Sequence, residues 1–161
     1  MRGYRVGTGF DTHRLVAGRP LVLGGVLVPY HAGLEGHSDG DCVIHAICDA
    51  LLGASGAGDM GRHFPSSDAR WKGARSTLFL QEVARIVTAA GFAVENVDAT
   101  VIAQDPVLAP HLEGMRDALA LALGAPREAL SIKAKSTDGL GAVGRGEGIA
   151  AQATVLLRPL H

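Results

Sequence analysis

The 161 residues predict one domain spanning 1–161 with a sizeable core, and the 47% hydrophobic but only 4% aromatic content predicts a core of Ala, Leu, Val and Ile. A net charge of -1 argues against a general nucleic-acid or polyanion binder, so no nucleic-acid partner is expected. No apolar run approaches the roughly 20 residues of a membrane span, and Met1-Arg2-Gly3-Tyr4-Arg5 leads into no signal-like stretch; no membrane partner and a cytoplasmic location are the expectations.

Tyr4 to Phe10 predicts a first strand that delivers Asp11 and His13 at its end. Leu21-Val22-Leu23 and Val26-Leu27-Val28-Pro29 flank Gly24-Gly25, a hairpin with a two-glycine turn. Gly33 to Gly36 reads as a loop. A helix then runs to about Leu52, with Ser38 or Asp39 as its cap; Ser38-x-x-Asp41 has the form of a capping box with Asp in place of Glu. Val43, Ile44, Ile47, Leu51 and Leu52 make this helix apolar on several faces, which predicts burial. Gly53, Gly56 and Gly58 end it. Gly58 to Asp68 reads as a long polar loop, a feature that is often functional in a compact domain.

Ser76 to Ala90 predicts a second helix, with Leu78, Phe79, Val83, Ile86, Val87 and Ala90 at a 3.6 period. Phe92 to Ala103 predicts a strand, broken by Gln104-Asp105-Pro106. Pro110 to Leu123 predicts a third helix, stopped by Gly124. Leu130 to Ser136 and Ile149 to Leu157 predict two last strands, joined by a loop with five glycines between Gly139 and Gly148. The order β-β-β-α-α-β-α-β-β predicts an α+β fold, a mixed sheet with helices on one face. In the last strand Ile149, Ala151, Ala153, Val155 and Leu157 share one face, while Ala150 and Leu156 add apolar surface to the other. A sheet apolar on both faces predicts a partner chain.

Chemistry concentrates in Asp11-Thr12-His13, His37-Ser38-Asp39-Gly40-Asp41 and His45. On a strand Asp11 and His13 point the same way. Two imidazoles and a carboxylate suit zinc held with one coordination position open, as in catalytic rather than structural sites. Asp41, His45 and Asp49 recur every fourth residue, a polar row on a buried helix whose groups need partners. Cys42 and Cys48 fall on different faces of that helix, which argues against a disulfide. Cys42, three residues before His45, reads as a small buried thiol, with metal ligation as the alternative. Lys133, Lys135, Ser136 and Thr137 ahead of the glycine-rich loop favour phosphate binding over a plain hairpin tip, although the Gly-Lys-Ser/Thr ending of a P-loop is missing.

An ordered set of motifs spans nearly the whole chain. It comprises Gly9-Phe10-Asp11-Thr12-His13, Gly24-Gly25-Val26, His37-Ser38-Asp39-Gly40-Asp41 with His45-Ala46, Leu51-Leu52-Gly53-Ala54 and Gly58-Asp59-Met60-Gly61. It continues with Phe64-Pro65-Ser66-Ser67-Asp68, Asn96-Val97-Asp98, Ala103-Gln104, Met115-Arg116 and Gly144-Arg145-Gly146-Glu147-Gly148-Ile149-Ala150. The set resembles the 2-C-methyl-D-erythritol 2,4-cyclodiphosphate synthase family of the non-mevalonate isoprenoid pathway. The resemblance implies a metal-dependent, CMP-releasing lyase. Its substrate is 4-diphosphocytidyl-2-C-methyl-D-erythritol 2-phosphate, whose 2-phosphate attacks the β-phosphate and closes a cyclic diphosphate.

By the same resemblance, zinc falls to Asp11, His13 and His45, and a second ion, Mg2+ or Mn2+, to Asp138. His37 and Ser136 become the catalytic positions that orient the reacting phosphates. Substrate contacts map onto Asp11, Thr12, His13, His37 and Ser38. For the methylerythritol portion they map onto Asp59, Met60, Gly61, Phe64, Pro65, Ser66, Ser67 and Asp68. Around the CDP they map onto Ala103, Gln104, Asp105, Pro106, Val107, Leu108 and Ala109, and onto Lys135, Ser136, Thr137 and Asp138. Ala142 and Arg145 match a further phosphate or effector contact. The family's assembly implies a homotrimer with sheets packed round a threefold axis and active sites between subunits. This chain departs from the family's common Glu at Asp138, Thr at Lys135 and Ser136, and aromatic at Ala142. Two other readings of the same residues are a zinc-dependent hydrolase of nucleotide diphosphates and a non-catalytic trimer that binds terpenoid phosphates. No unassigned Glu or His stands out to activate water, and the intact Asp11, His13, His37 and His45 argue against a retired enzyme.

Overall fold

The computed structural model describes residues 3–161; Met1 and Arg2, part of the stretch read above for a signal, lie outside the described residues. In chain order the elements are β1 (Arg5–Ala17), β2 (Leu21–Leu23), β3 (Val26–Val28), β4 (Ala32–Leu34), α1 (Cys42–Ser55), the single-turn α2 (Met60–His63), α3 (Ser76–Ala89), β5 (Phe92–Ile102), α4 (Leu112–Leu123), β6 (Leu130–Lys135), the single-turn α5 (Gly141–Gly144) and β7 (Gly148–Pro159). Five strands form one sheet in the order β4-β1-β7-β5-β6, and β2 with β3 makes a separate hairpin. Every pair in the main sheet is antiparallel except β5 with β6, which α4 connects as a crossover helix. The fold is therefore α+β with a mixed sheet, as the element order predicts.

The alternation of β1 explains where α1 sits. Gly7, Gly9, Asp11 and His13 share the face turned to the helices. A Cβ on Gly7 would lie 1.9 Å from the carbonyl oxygen of Ala50, and one on Gly9 would lie 1.9 Å from that of Ala46. Glycine in the strand and alanine in the helix thus let the α1 backbone rest directly on the sheet. The polar half of the same strand row, Asp11 and His13, is carried to the start of α1 by this contact. Beneath α1, α3 and α4 the core is aliphatic: Ile149, Ala151, Ala153, Val155 and Leu157 of β7 and Val97, Ala99 and Val101 of β5 meet Ile47, Leu51, Leu80, Val83, Met115 and Leu119. On the opposite face Val6 and Phe10 stay 67% and 61% exposed in the single chain, opposite Leu156 and Gln152 of β7.

Four local expectations change. The first strand does not stop at Phe10 but runs to Ala17, because β7 pairs with it through Arg14 and β4 pairs with it beyond. Gly33 to Gly36 is not wholly loop, since Ala32–Leu34 forms β4. The cap of α1 is Asp41, not Ser38 or Asp39, and the helix passes Gly53 to end at a left-handed Gly56 with φ 76°. The stretches read as loops at 58–68 and 137–148 each contain one helical turn, α2 and α5. The Gly24-Gly25 turn is as expected, with both residues in the left-handed region (φ 57° and 77°) that a two-residue hairpin of this hand requires. No helix of the described residues is long and apolar enough to cross a membrane.

Candidate active site

Asp11 and His13 project from the middle of β1, and His45 projects from the first turns of α1. Asp11 Oδ2 lies 2.8 Å from His13 Nε2 and 3.1 Å from His45 Nδ1, and the two ring nitrogens are 3.2 Å apart. A tetrahedral ion with bonds of about 2.0–2.1 Å holds its donors about 3.3 Å apart, so the triangle fits one metal ion with one position left open. The outer ring atoms are also arranged for it. His13 Nδ1 donates to the carbonyl oxygen of Glu35 at 2.6 Å, so in the neutral ring Nε2 is the nitrogen left for an ion. Burial pushes the Asp11 carboxyl up, but hydrogen bonds from His13 and His45 outweigh it and hold the group at about 2. The bond to Asp11 raises His13 above its ordinary 6.5, against the effect of burial.

The polar row on α1 serves three ends. Asp41 is fully buried and accepts from Gly24 N (2.9 Å), Gly25 N (2.7 Å) and Ile44 N (3.1 Å), tying the hairpin turn to the helix start. Burial raises it to about 6. His45 joins the triad, and Asp49 accepts from Met60 N at 2.8 Å, which fixes the start of α2. Cys42 and Cys48 are free and buried, and burial raises both thiols well above their ordinary value. The ligand cluster contains Asp11, His13 and His45 without Cys42.

The triad forms the floor of a cavity of about 280 Å³ lined by Asp11, His13, His37, Ser38, His45, Asp49, Met60, Gly61, Phe64, Ser66, Trp71 and Phe79. The strand, the 37–38 turn and the 58–68 stretch therefore converge as the motifs suggest. Of the aromatic wall, sequence reasoning named Phe64 and missed Trp71 and Phe79. Phe64, Trp71 and Phe79 pack with ring centroids 4.8–5.3 Å apart. Phe79 carried only a core signal in its helix period, and the chain's one tryptophan stood in a stretch with no pattern. His37 Nε2 bonds the carbonyl oxygen of Asp68 at 3.1 Å, and Gly73 N donates to the His37 carbonyl at 2.8 Å, so the 64–75 segment folds over the cavity. Around it, Thr12 points to the opposite face of the sheet and bonds the Ile149 carbonyl. Asp59 caps α2 and Asp68 pairs with Arg70 at 2.6 Å. Pro65 and Ser67 lie in the same segment without lining the cavity.

A second group forms where β5 and β6 end side by side, with Ile102 opposite Lys135. Ala103 N donates to the Lys135 carbonyl (2.9 Å), and Gly139 N donates to Gln104 Oε1 (3.0 Å). Ser136 Oγ lies 3.3 Å from Asp138 Oδ1, and Asp138 adopts φ 52°. Asp105-Pro106 is a cis peptide, Leu108 is buried, Val107 and Ala109 are exposed, and Thr137 bonds the Leu140 carbonyl. Ala142 is exposed in α5, and Arg145 pairs with Glu147 at 2.7 Å. The row Thr12, Ala150, Ile102, Lys135 puts this group at the same sheet end as the triad. Three inter-strand spacings separate them, about 14 Å, and neither Ser136 nor Asp138 lines the triad's cavity.

Fold and site together define an α+β protein with an Asp-His-His cluster that could hold one metal ion at the bottom of a cavity. The chain belongs to the YgbB family, whose model matches residues 4–158. It is 57% identical over 154 residues, 96% of each chain, to the 2-C-methyl-D-erythritol 2,4-cyclodiphosphate synthase of Burkholderia ambifaria. Among solved structures it is similar to the bifunctional IspDF from Campylobacter jejuni, with TM-score 0.93 and 38% identity over 97% of this chain; it spans 42% of that longer chain. It is also similar to a 2C-methyl-D-erythritol-2,4-cyclodiphosphate synthase in a CDP-bound form, with TM-score 0.87 and 40% identity over 95% of this chain and 99% of that one.

Proposed function

We propose that the chain, as one domain of this kind, converts 4-diphosphocytidyl-2-C-methyl-D-erythritol 2-phosphate to 2-C-methyl-D-erythritol 2,4-cyclodiphosphate and CMP. The observation that carries the reading is the Asp11-His13-His45 triangle at the floor of a cavity, in a chain that matches synthases of this name along almost its whole length. Asp11, His13 and His45 would hold zinc, and Asp138 with the substrate phosphates would hold Mg2+ or Mn2+; the ions supply Lewis acidity and neutralise phosphate charge.

The reaction places few demands on protein acids and bases. An oxygen of the 2-phosphate bonds to the β-phosphorus, and the bond from that phosphorus to the bridging oxygen breaks, which releases CMP. The nucleophile is already an anion, and both partners belong to one molecule. Orientation is then the main contribution, worth roughly 7–11 kcal/mol. His37, at the cavity edge, and Ser136, at the end of β6, are donors aimed at phosphate oxygens in this scheme. Met60, Gly61 and the Phe64, Trp71, Phe79 wall enclose the methylerythritol and keep water from the β-phosphorus. The loops at 103–109 and 135–138 take the CDP, in keeping with the CDP-bound relative. A cytoplasmic place of action belongs to the same reading, since a nucleotide-linked phosphate does not cross membranes unaided.

A homotrimer completes the account. The single chain leaves the triad and the Ser136-Asp138 group about 14 Å apart and leaves Val6 and Phe10 exposed beside Leu156. Three sheets packed face to face round an axis cover that apolar strip and set the cavity of one subunit against the β5–β6 loops of the next. His45→Ala tests the reading: it should abolish both zinc binding and turnover, and turnover that survives would remove zinc from the chemistry.

A further inference from the structure

We infer that Ser76, held by Asp39, is a positioning residue of the metal site, fixing His45 in the one ring form that presents Nδ1 to the triad. The inference rests on reading Asp11, His13 and His45 as ligands and concerns two residues to which that reading gives no role. Ser76 is the first residue of α3 and is fully buried at 0% exposure. Its backbone N donates to Asp39 Oδ2 at 2.9 Å, and its hydroxyl makes a short contact to Asp39 Oδ1. The Ser76 Oγ also lies 3.0 Å from His45 Nε2.

The proton count decides the ring form. A carboxylate only accepts, so the Ser76 proton goes to Asp39. What Ser76 then offers His45 is a lone pair, and Nε2 must carry the hydrogen. A bare Nε2 would face that lone pair at 3.0 Å. Ser38 Oγ, 3.2 Å from Nε2, is a second acceptor for the same hydrogen. With Nε2 donating to these hydroxyls, Nδ1 points at Asp11 and His13, and the hydrogen it gives Asp11 in the metal-free chain is the one an ion displaces. A carboxylate–hydroxyl–imidazole chain thus performs for His45 what the Glu35 carbonyl performs for His13. It also joins the site to the end of the 64–75 segment, because Asp39 N donates to the Ala74 carbonyl at 3.1 Å.

The experiment uses the full chain with Ser76→Ala and Asp39→Asn, alone and combined. Two quantities are read: zinc affinity by chelator competition, and the exchange rate of the His45 Nε2–H proton in the zinc-loaded protein by proton–nitrogen NMR. Ser76→Ala leaves Nε2–H only the rotating hydroxyl of Ser38, so that proton should exchange faster and zinc affinity should fall roughly 10–100-fold. Asp39→Asn should lower affinity in the native background and have little further effect once Ser76 is Ala, since it acts through that hydroxyl. Unchanged affinity in Ser76→Ala would overturn the inference, and so would lost affinity with an unchanged exchange rate of the His45 Nε2–H proton. Asp39→Asn effects that are equal in the two backgrounds would remove Asp39 from the chain. A native protein that binds no zinc would instead sink the metal reading itself.

Discussion

A metal ion held by Asp11, His13 and His45 would compete with protons for the same atoms. In the metal-free chain, Asp11 titrates at about 2 against an ordinary 3.8, so its contribution to stability is present above 3.8 and is lost as pH falls towards 2. His13 is raised above 6.5, so its contribution is complete below 6.5 and is lost as pH rises through the raised value. Asp41, raised to about 6 by burial, works in the same direction as His13 between 3.8 and 6. The metal-free protein should therefore lose stability as pH rises from 4 to 8. Zinc needs the neutral imidazoles, and its stabilisation grows over that range. Thermal melts with and without zinc should diverge as pH rises from 6 to 8; convergence would contradict the ligand assignment. Ser136 is exposed, and its hydroxyl hydrogen-bonds Asp138 two residues on. If it aids the transition state, Ser136→Ala should lower kcat about 10²–10³-fold with little change in KM, as steady-state kinetics would show.

Two elements, β1 and α1, set the geometry of the triad by lying in backbone contact. Gly9→Ala puts a methyl within 1.9 Å of the Ala46 carbonyl oxygen. The helix must lift, at a cost of about 1–3 kcal/mol in denaturant unfolding, and zinc affinity should fall with it because His45 rides on α1. Stability lost with affinity unchanged would mean that the triad does not depend on this contact. Asp41→Asn leaves an NH2 facing one of three backbone donors, and the expected loss is about 1–3 kcal/mol. Much of this scale was legible in the sequence. The Gly24-Gly25 turn, the α3 period and the alternation of β5 each rest on a local pattern that packing did not overrule. β4 was not, because three residues are too few to show a period, and it exists only through its partner β1. Nor was the cap of α1. Ser38, Asp39 and Asp41 are all good caps, and the choice turns on distant groups: the hairpin amides claim Asp41, Ser76 claims Asp39 and His45 claims Ser38.

For the whole molecule, the motifs pointed to Asp11, His13 and His45 as a group, and the structure brings these three together as a cluster that could hold one metal ion, because they lie on a strand and a helix with clear patterns. Trp71 and Phe79 escaped, since they meet Phe64 only through tertiary packing. The distance between the triad and Ser136 gives the homotrimer proposal a direct test. Subunits carrying His37→Ala and subunits carrying Ser136→Ala, each inactive alone, should regain activity when unfolded and refolded together. Random mixing restores about a quarter of the sites if each site draws on two chains. No recovery would place both residues in one chain's site.

Intramolecular transfer to phosphorus separates cyclisation from hydrolysis, and a phosphorus NMR time course distinguishes the two. The zinc-loaded protein is mixed with the CDP-linked methylerythritol phosphate and Mg2+. The account predicts cyclic diphosphate appearing one for one with CMP. CMP accompanied only by open-chain phosphates would mean that water is the nucleophile, and the cyclisation account would be wrong.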